Sequence, residues 1–254
     1  MLRALPVVRV LALDPPATAW AKVEFLGRSG SVYDRIADAL VADEEGPVVV
    51  GGSGPFAIAV AAAAQKRGRA VRSVIPTGTL DEHQTLLIDA RVAVFMVPED
   101  KVWAVAEEEA RNLGAQPIVG PQAAHFAGGL GVELASELSQ IASEFRPDVV
   151  VYPVDAHGLG EGLALALGEQ YPLVSVVEQG RGAQGQIEVT AEDCFRARRA
   201  LAGREGWLVG YAAASTVAAL PELRARGFQR PLLLLTDAGD RVFSRDRRLS
   251  EVTA

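Results

Sequence analysis

Short apolar runs alternate along the chain with segments in which apolar residues recur every three or four positions. The runs at 7–11, 47–51, 70–75, 91–97, 117–119, 148–154, 173–178 and 231–236 read as strands. The segments 56–67, 80–89, 101–113, 131–145, 160–167, 192–202 and 213–226 carry helical spacing, and 207–210 reads as a short extended piece. Gly68 and Gly114 close two of these helices, and Thr79 is placed to cap the one at 80–89. Continuous apolar strands separated by helices predict an α/β chain with parallel-rich sheets covered by helices on both faces. Right-handed crossovers then put the strand C-termini on one side, where ligands bind in such folds.

One stretch stands out. Residues 20–25 alternate like a strand and lead into Arg28-Ser-Gly-Ser-Val-Tyr-Asp-Arg-Ile-Ala37. A helical pattern follows through Ile36, Ala37, Ala39, Leu40 and Val41, with Ser31 as its expected cap. A glycine-containing turn between strand and helix is a common ligand site.

Composition narrows the classes. Of the 254 residues, 49% are hydrophobic, which makes a globular chain able to bury a sizeable core. The formal net charge of −7 argues against nucleic acid or an anionic membrane as partner. The longest apolar run, 56–64, is too short to span a bilayer, so a cytoplasmic protein is expected. The N-terminus faintly resembles a signal peptide, but Arg9 and Asp14 interrupt it, and 7–11 reads as a strand. Cys194 is the only cysteine and reads as a structural thiol. His83, His125 and His157 lie on separate segments, so no metal site is expected; His83 reads as a solvated helix residue.

Ala21-Lys-Val-Glu-Phe-Leu26, followed by Gly-Ser-Val-Tyr-Asp-Arg-Ile-Ala37, resembles the cofactor-lysine segment of the cysteine synthase family. That family belongs to the tryptophan synthase β-like, fold-type II enzymes that use pyridoxal phosphate (PLP). Leu5-Pro-Val-Val-Arg-Val10, Gln122-Ala-Ala-His-Phe-Ala127, the segment 198–210 and Thr236-Asp-Ala-Gly-Asp-Arg241 are similar to further family segments in the same order. The resemblance implies a shortened version of that two-domain fold, with a larger domain at 1–40 and 128–254 and a smaller one at 41–127.

It also implies five cofactor positions, and this chain departs from each. Tyr33 stands where the family has its imine-forming lysine. Gly52-Ser-Gly54 stands where the family binds substrate carboxylate, with Ser53 at the asparagine position. Asp155, His157, Gly158 and Glu161 fall on the phosphate loop, whose threonines are gone. The connection at 179–186 is shortened. Ala238 replaces the serine that pairs with the ring nitrogen. On these letters the cofactor is expected to be lost. The chain then reads as a catalytically degenerate protein with Tyr33, Gly52, Ser53, Gly54, Asp155, His157, Gly158, Glu161 and Ala238 lining the former cofactor cleft. It would bind an amino-acid-like ligand or a partner, as a homo-oligomer or beside a related active enzyme. The alternative is an enzyme with cofactor-independent acid–base chemistry at Tyr33 and His157.

Overall fold

The computed structural model describes residues 7–11, 18–42, 45–120, 136, 146–154, 158–180 and 185–252. The expected helix at 131–145 and His125 lie outside the described residues, apart from a helical Ser136. The chain divides into two compact units. The first holds residues 1–26, 131–154 and 163–254, and the second holds 27–130 and 155–162.

The strands of the first unit are β1 (Val7–Leu11), β2 (Thr18–Val23), β7 (Val149–Pro153), β8 (Leu173–Glu178), β9 (Ile187–Val189) and β10 (Pro231–Leu235). They form one sheet in the order β1-β2-β10-β7-β8-β9. Only the β1–β2 pair is antiparallel. The unbroken leucines of β10 are all buried, as a strand between two neighbours and covered on both faces requires. Helices α6 (Ala191–Glu205), α7 (Tyr211–Ala218), α8 (Leu220–Ala225) and α9 (Phe243–Val252) follow, and α7 packs on β10 and β7. Thr190 closes a capping box with Asp193 at the start of α6. The single helix expected at 213–226 is broken at Ala219, because Pro221 withholds a backbone donor and begins a new helix. The strand β9 and the helix α9 have no counterpart in the sequence reading.

The second unit carries β3 (Val48–Gly51), β4 (Val71–Pro76), β5 (Ala93–Val97) and β6 (Gln116–Ile118) in the parallel order β5-β4-β3-β6. Its helices are α1 (Asp34–Leu40), α2 (Gly54–Lys66), α3 (Asp81–Asp89), α4 (Val102–Leu113) and α5 (Leu159–Leu167), the last continuing into the first unit. Alternate residues of β3 serve opposite cores. Val48 and Val50 join Phe56, Val60 and Leu87 on one face, while Val49 meets Val102, Ala106 and Ala110 on the other. Gly51 is required where β3 passes α4, since a β-carbon there would come within 2.6 Å of Ala106 Cβ.

Candidate functional site

The turn into α1 is organised by a carboxylate. Asp34 Oδ2 accepts the Ser29 amide at 2.8 Å, and a β-carbon at Gly27 would overlap that same carboxylate. Ser31 does not cap α1 as the sequence suggested. Its hydroxyl pairs with that of Ser29 at 2.9 Å, and Tyr33 is the N-cap residue without a side-chain cap bond. Thr79 likewise leaves the start of α3 to Leu80.

Tyr33, part-exposed, packs edge-to-face on Phe56 with ring centroids 5.4 Å apart. The structure thus brings Tyr33 to the first turn of α2, beside the glycine loop. That loop is local in origin: Gly52 N–H bonds Val74 O, and Ser53 sits at the N-cap in an extended conformation with no side-chain cap bond. The helix opens at Gly54, and Pro55 in its first turn brings no backbone N–H. Such an end favours an anion.

His83 was missed by the sequence reading. It is buried, not solvated, because Gly54 leaves room for it: a β-carbon at Gly54 would lie 2.8 Å from the imidazole Nδ1. The spacing of His83 to the buried Leu87, one helical turn on, is the signal that marks its face.

Gly158 is buried and has φ +82°, a conformation that only glycine adopts without strain, and its carbonyl accepts the Gly162 amide at 3.0 Å to open α5. Glu161 is exposed in the first turn of that helix, where a carboxylate suits the helix dipole. Asp155 and His157 lie outside the described residues.

Ala238 belongs to the first unit, in a tie between two extended segments. It bridges Val209, while Gly210 N–H bonds Asp237 O and Gly239 N–H bonds Leu208 O. The neighbouring Asp237 accepts the Ala213 amide at 2.6 Å at the start of α7. Burial pushes its pKa up to about 6, against the lowering effect of the backbone donors and of Arg198 and Arg245. A β-carbon at Gly210 would overlap that carboxyl. Around it, Arg198 pairs with Asp246 and bonds Val209 O, Tyr211 donates to Asp246 at 2.7 Å, and Arg245 meets Glu178 at 2.7 Å. These contacts bind α9 to α6, α7 and β8.

The chain has three lysines. Lys22 is fully buried with its Nζ 3.3 Å from Glu24, and Lys66 and Lys101 are exposed at helix ends. Cys194 is buried with its pKa pushed up to about 12, chiefly by burial, as a structural thiol. No helix among the described residues is long and apolar enough to cross a membrane.

A family model described as "Pyridoxal-phosphate dependent enzyme" matches residues 2–185. No match is found among curated proteins. Among solved structures, the chain is similar to a lysine-to-alanine variant of O-ureido-L-serine synthase bound to O-ureido-L-serine. The TM-score is 0.82 at 20% identity, over 98% of this chain and 96% of that one. It is also similar to the O-acetylserine dependent cystathionine beta-synthase from Helicobacter pylori, with a TM-score of 0.78 at 22% identity over 94% of each. A hydrogen sulfide-producing enzyme from Fusobacterium nucleatum gives 0.77 at 18%, over 93% of this chain and 96% of that one. At these identities the structures establish a shared fold.

The family match corrects the expected loss of the cofactor: it implies PLP. Glu161 on the phosphate loop is exposed, and in water the repulsion between its carboxylate and a phosphate amounts to only about 1 kcal/mol even at close range. The described residues fit the group in part. Glycine turns open α2 and α5 and offer backbone donors to an anion, while Tyr33 offers no amine.

Proposed function

The chain belongs to the family of pyridoxal-phosphate dependent enzymes, and we propose that it holds PLP by non-covalent contacts alone, as a cytoplasmic ligand-binding or regulatory member without the family's catalytic lysine. The observation that carries this reading is Tyr33 at the turn into α1, packed on Phe56 next to the Gly52–Gly54 loop. When bound, PLP supplies an electron sink for amino-acid chemistry, entered in this family through a lysine imine. A phenol cannot form that link. Glu24 holds Lys22, and the other two lysines stand at exposed helix ends.

In this reading the backbone donors at the start of α2 orient an anionic group, and the buried His83 fixes the loop that presents them. Tyr33 fills the space beside Phe56 and keeps the turn closed. The lysine-to-alanine variant of O-ureido-L-serine synthase, bound to its amino acid, supports the idea that this fold tolerates loss of a lysine and still takes an amino-acid ligand. The test is equilibrium dialysis of the purified chain against PLP, followed by borohydride reduction and peptide mapping. Saturable, fully dialysable binding with no reduced adduct is expected. Absence of saturable binding, or a pyridoxyl group fixed to a lysine, overturns the proposal.

A further inference from the structure

The second unit's sheet ends on β5. An exposed edge strand offers unpaired backbone donors and acceptors to any extended chain, and is normally blunted by a charge, a proline or short length. Among the described strands, β1 contains Arg9, β6 contains Pro117 in three residues, and β9 contains Glu188 in three residues. By contrast β5 is Ala93-Val-Phe-Met-Val97, five residues without charge or proline. Val97 O accepts the Thr77 amide, so Phe95 and Val97 turn their polar groups towards β4. Val94 and Met96 therefore each present an N–H and a C=O on the open side.

Apolar side chains frame that open side on both faces of the sheet. Phe95 is 39% exposed and Met96 51% exposed, on opposite faces. Phe95 pairs with Val74 and lies on the α4 face, where the Arg72 guanidinium stands 5.6 Å from its ring centroid while bound to Glu109. Met96 shares the other face with Val94, which packs on the core that holds Leu87 of α3. Ile88 of α3 and Trp103 of α4 are exposed as well. The C-terminal end of β5 is acidic. Glu99 and Asp100 follow it in a short turn, and Glu107 and Glu108 lie on α4; over 99–108 these exposed acids face one exposed base, Lys101.

We propose that β5 is a docking edge for an extended segment of another protein, apolar at alternate positions and basic at its N-terminal end. The segment pairs antiparallel, the stronger ladder geometry, and bonds the outward groups of Val94 and Met96. Its alternate side chains lie beside Phe95 on one face and Met96 on the other. Antiparallel pairing carries its N-terminal end to Glu99 and Asp100, where basic residues meet charges of opposite sign. Main-chain bonds supply the affinity of such strand addition, and side chains supply the choice of partner. A second copy of this chain would bring the same acidic residues with it, so the charge favours a basic partner. The inference is independent of the ligand reading, since every group it uses lies on β5 and its flanks.

The test uses the full chain and a fluorescently labelled peptide, Lys-Lys-Val-Thr-Val-Thr-Val, read by anisotropy. Saturable binding is expected, and binding about tenfold weaker for the same strand led by Glu-Glu. Glu99→Lys combined with Asp100→Lys should abolish that preference. Met96→Pro removes one outward donor and no bond to β4, so it should keep the fold by circular dichroism and weaken binding about tenfold. On binding, the Val94 and Met96 amides of the wild-type chain should gain protection from hydrogen exchange, which reads the edge even where the proline variant fails to fold. Absence of saturable binding overturns the proposal, as does equal binding of the two peptides or binding that leaves the Val94 and Met96 amides unprotected. A wild-type dimer that Met96→Pro converts to monomer also overturns it, since a second copy would then occupy the edge.

Discussion

Replacing Asp237 by asparagine should change how stability depends on pH. The carboxyl is buried at the start of α7 and has its pKa raised from an ordinary 3.8 to about 6. A carboxyl whose folded pKa lies above its unfolded value favours the folded state when protonated. Its contribution is therefore fully present below about 3.8 and is lost as pH rises through about 6. The difference between the two values amounts to about 3 kcal/mol. Asp237→Asn keeps an oxygen for the Ala213 amide but cannot ionise. Urea unfolding followed by Trp20 and Trp207 fluorescence, in a Trp103→Phe background, reads the first unit. The wild-type stability minus that of Asp237→Asn should fall by up to about 3 kcal/mol between pH 4 and pH 7, or about 1 M urea in midpoint. A difference that stays constant across this range would refute the argument that burial dominates over the backbone donors and the two arginines.

Ser73 has a buried hydroxyl without a hydrogen-bond partner in β4, so Ser73→Ala should raise the unfolding free energy by about 1 kcal/mol, read as a higher urea midpoint. Cys194, with its pKa pushed up to about 12, should resist thiol reagents at pH 8 in the native protein and react at once when urea unfolds the chain.

The fold was legible where burial on both faces leaves no choice of residue. Val48-Val-Val50 and Leu232-Leu-Leu-Leu235 announce buried strands, and Gly114 with φ +59° ends α4 where the letters place it. The local turns were less legible. Ser31 and Thr79 have the chemistry of caps, but a cap forms only where the chain enters the helix, and Asp34 takes over the first turn by holding Ser29. His83 follows Asp81 and Glu82 and so reads as solvated; its burial depends on the missing side chain of Gly54, a neighbour from another segment. The cofactor was misjudged for a related reason. Substituted letters at the phosphate loop were read as contacts, whereas exposure decides whether a charge such as Glu161 acts at all.

In the proposed function, Tyr33 leaves the family's cofactor without a covalent anchor. Wild-type chain and Tyr33→Lys, each saturated with PLP, can be reduced with borohydride side by side and mapped by mass spectrometry. No pyridoxyl label on the wild type and a label at position 33 of the variant are expected. A label on Lys22, Lys66 or Lys101 of the wild-type protein would contradict it.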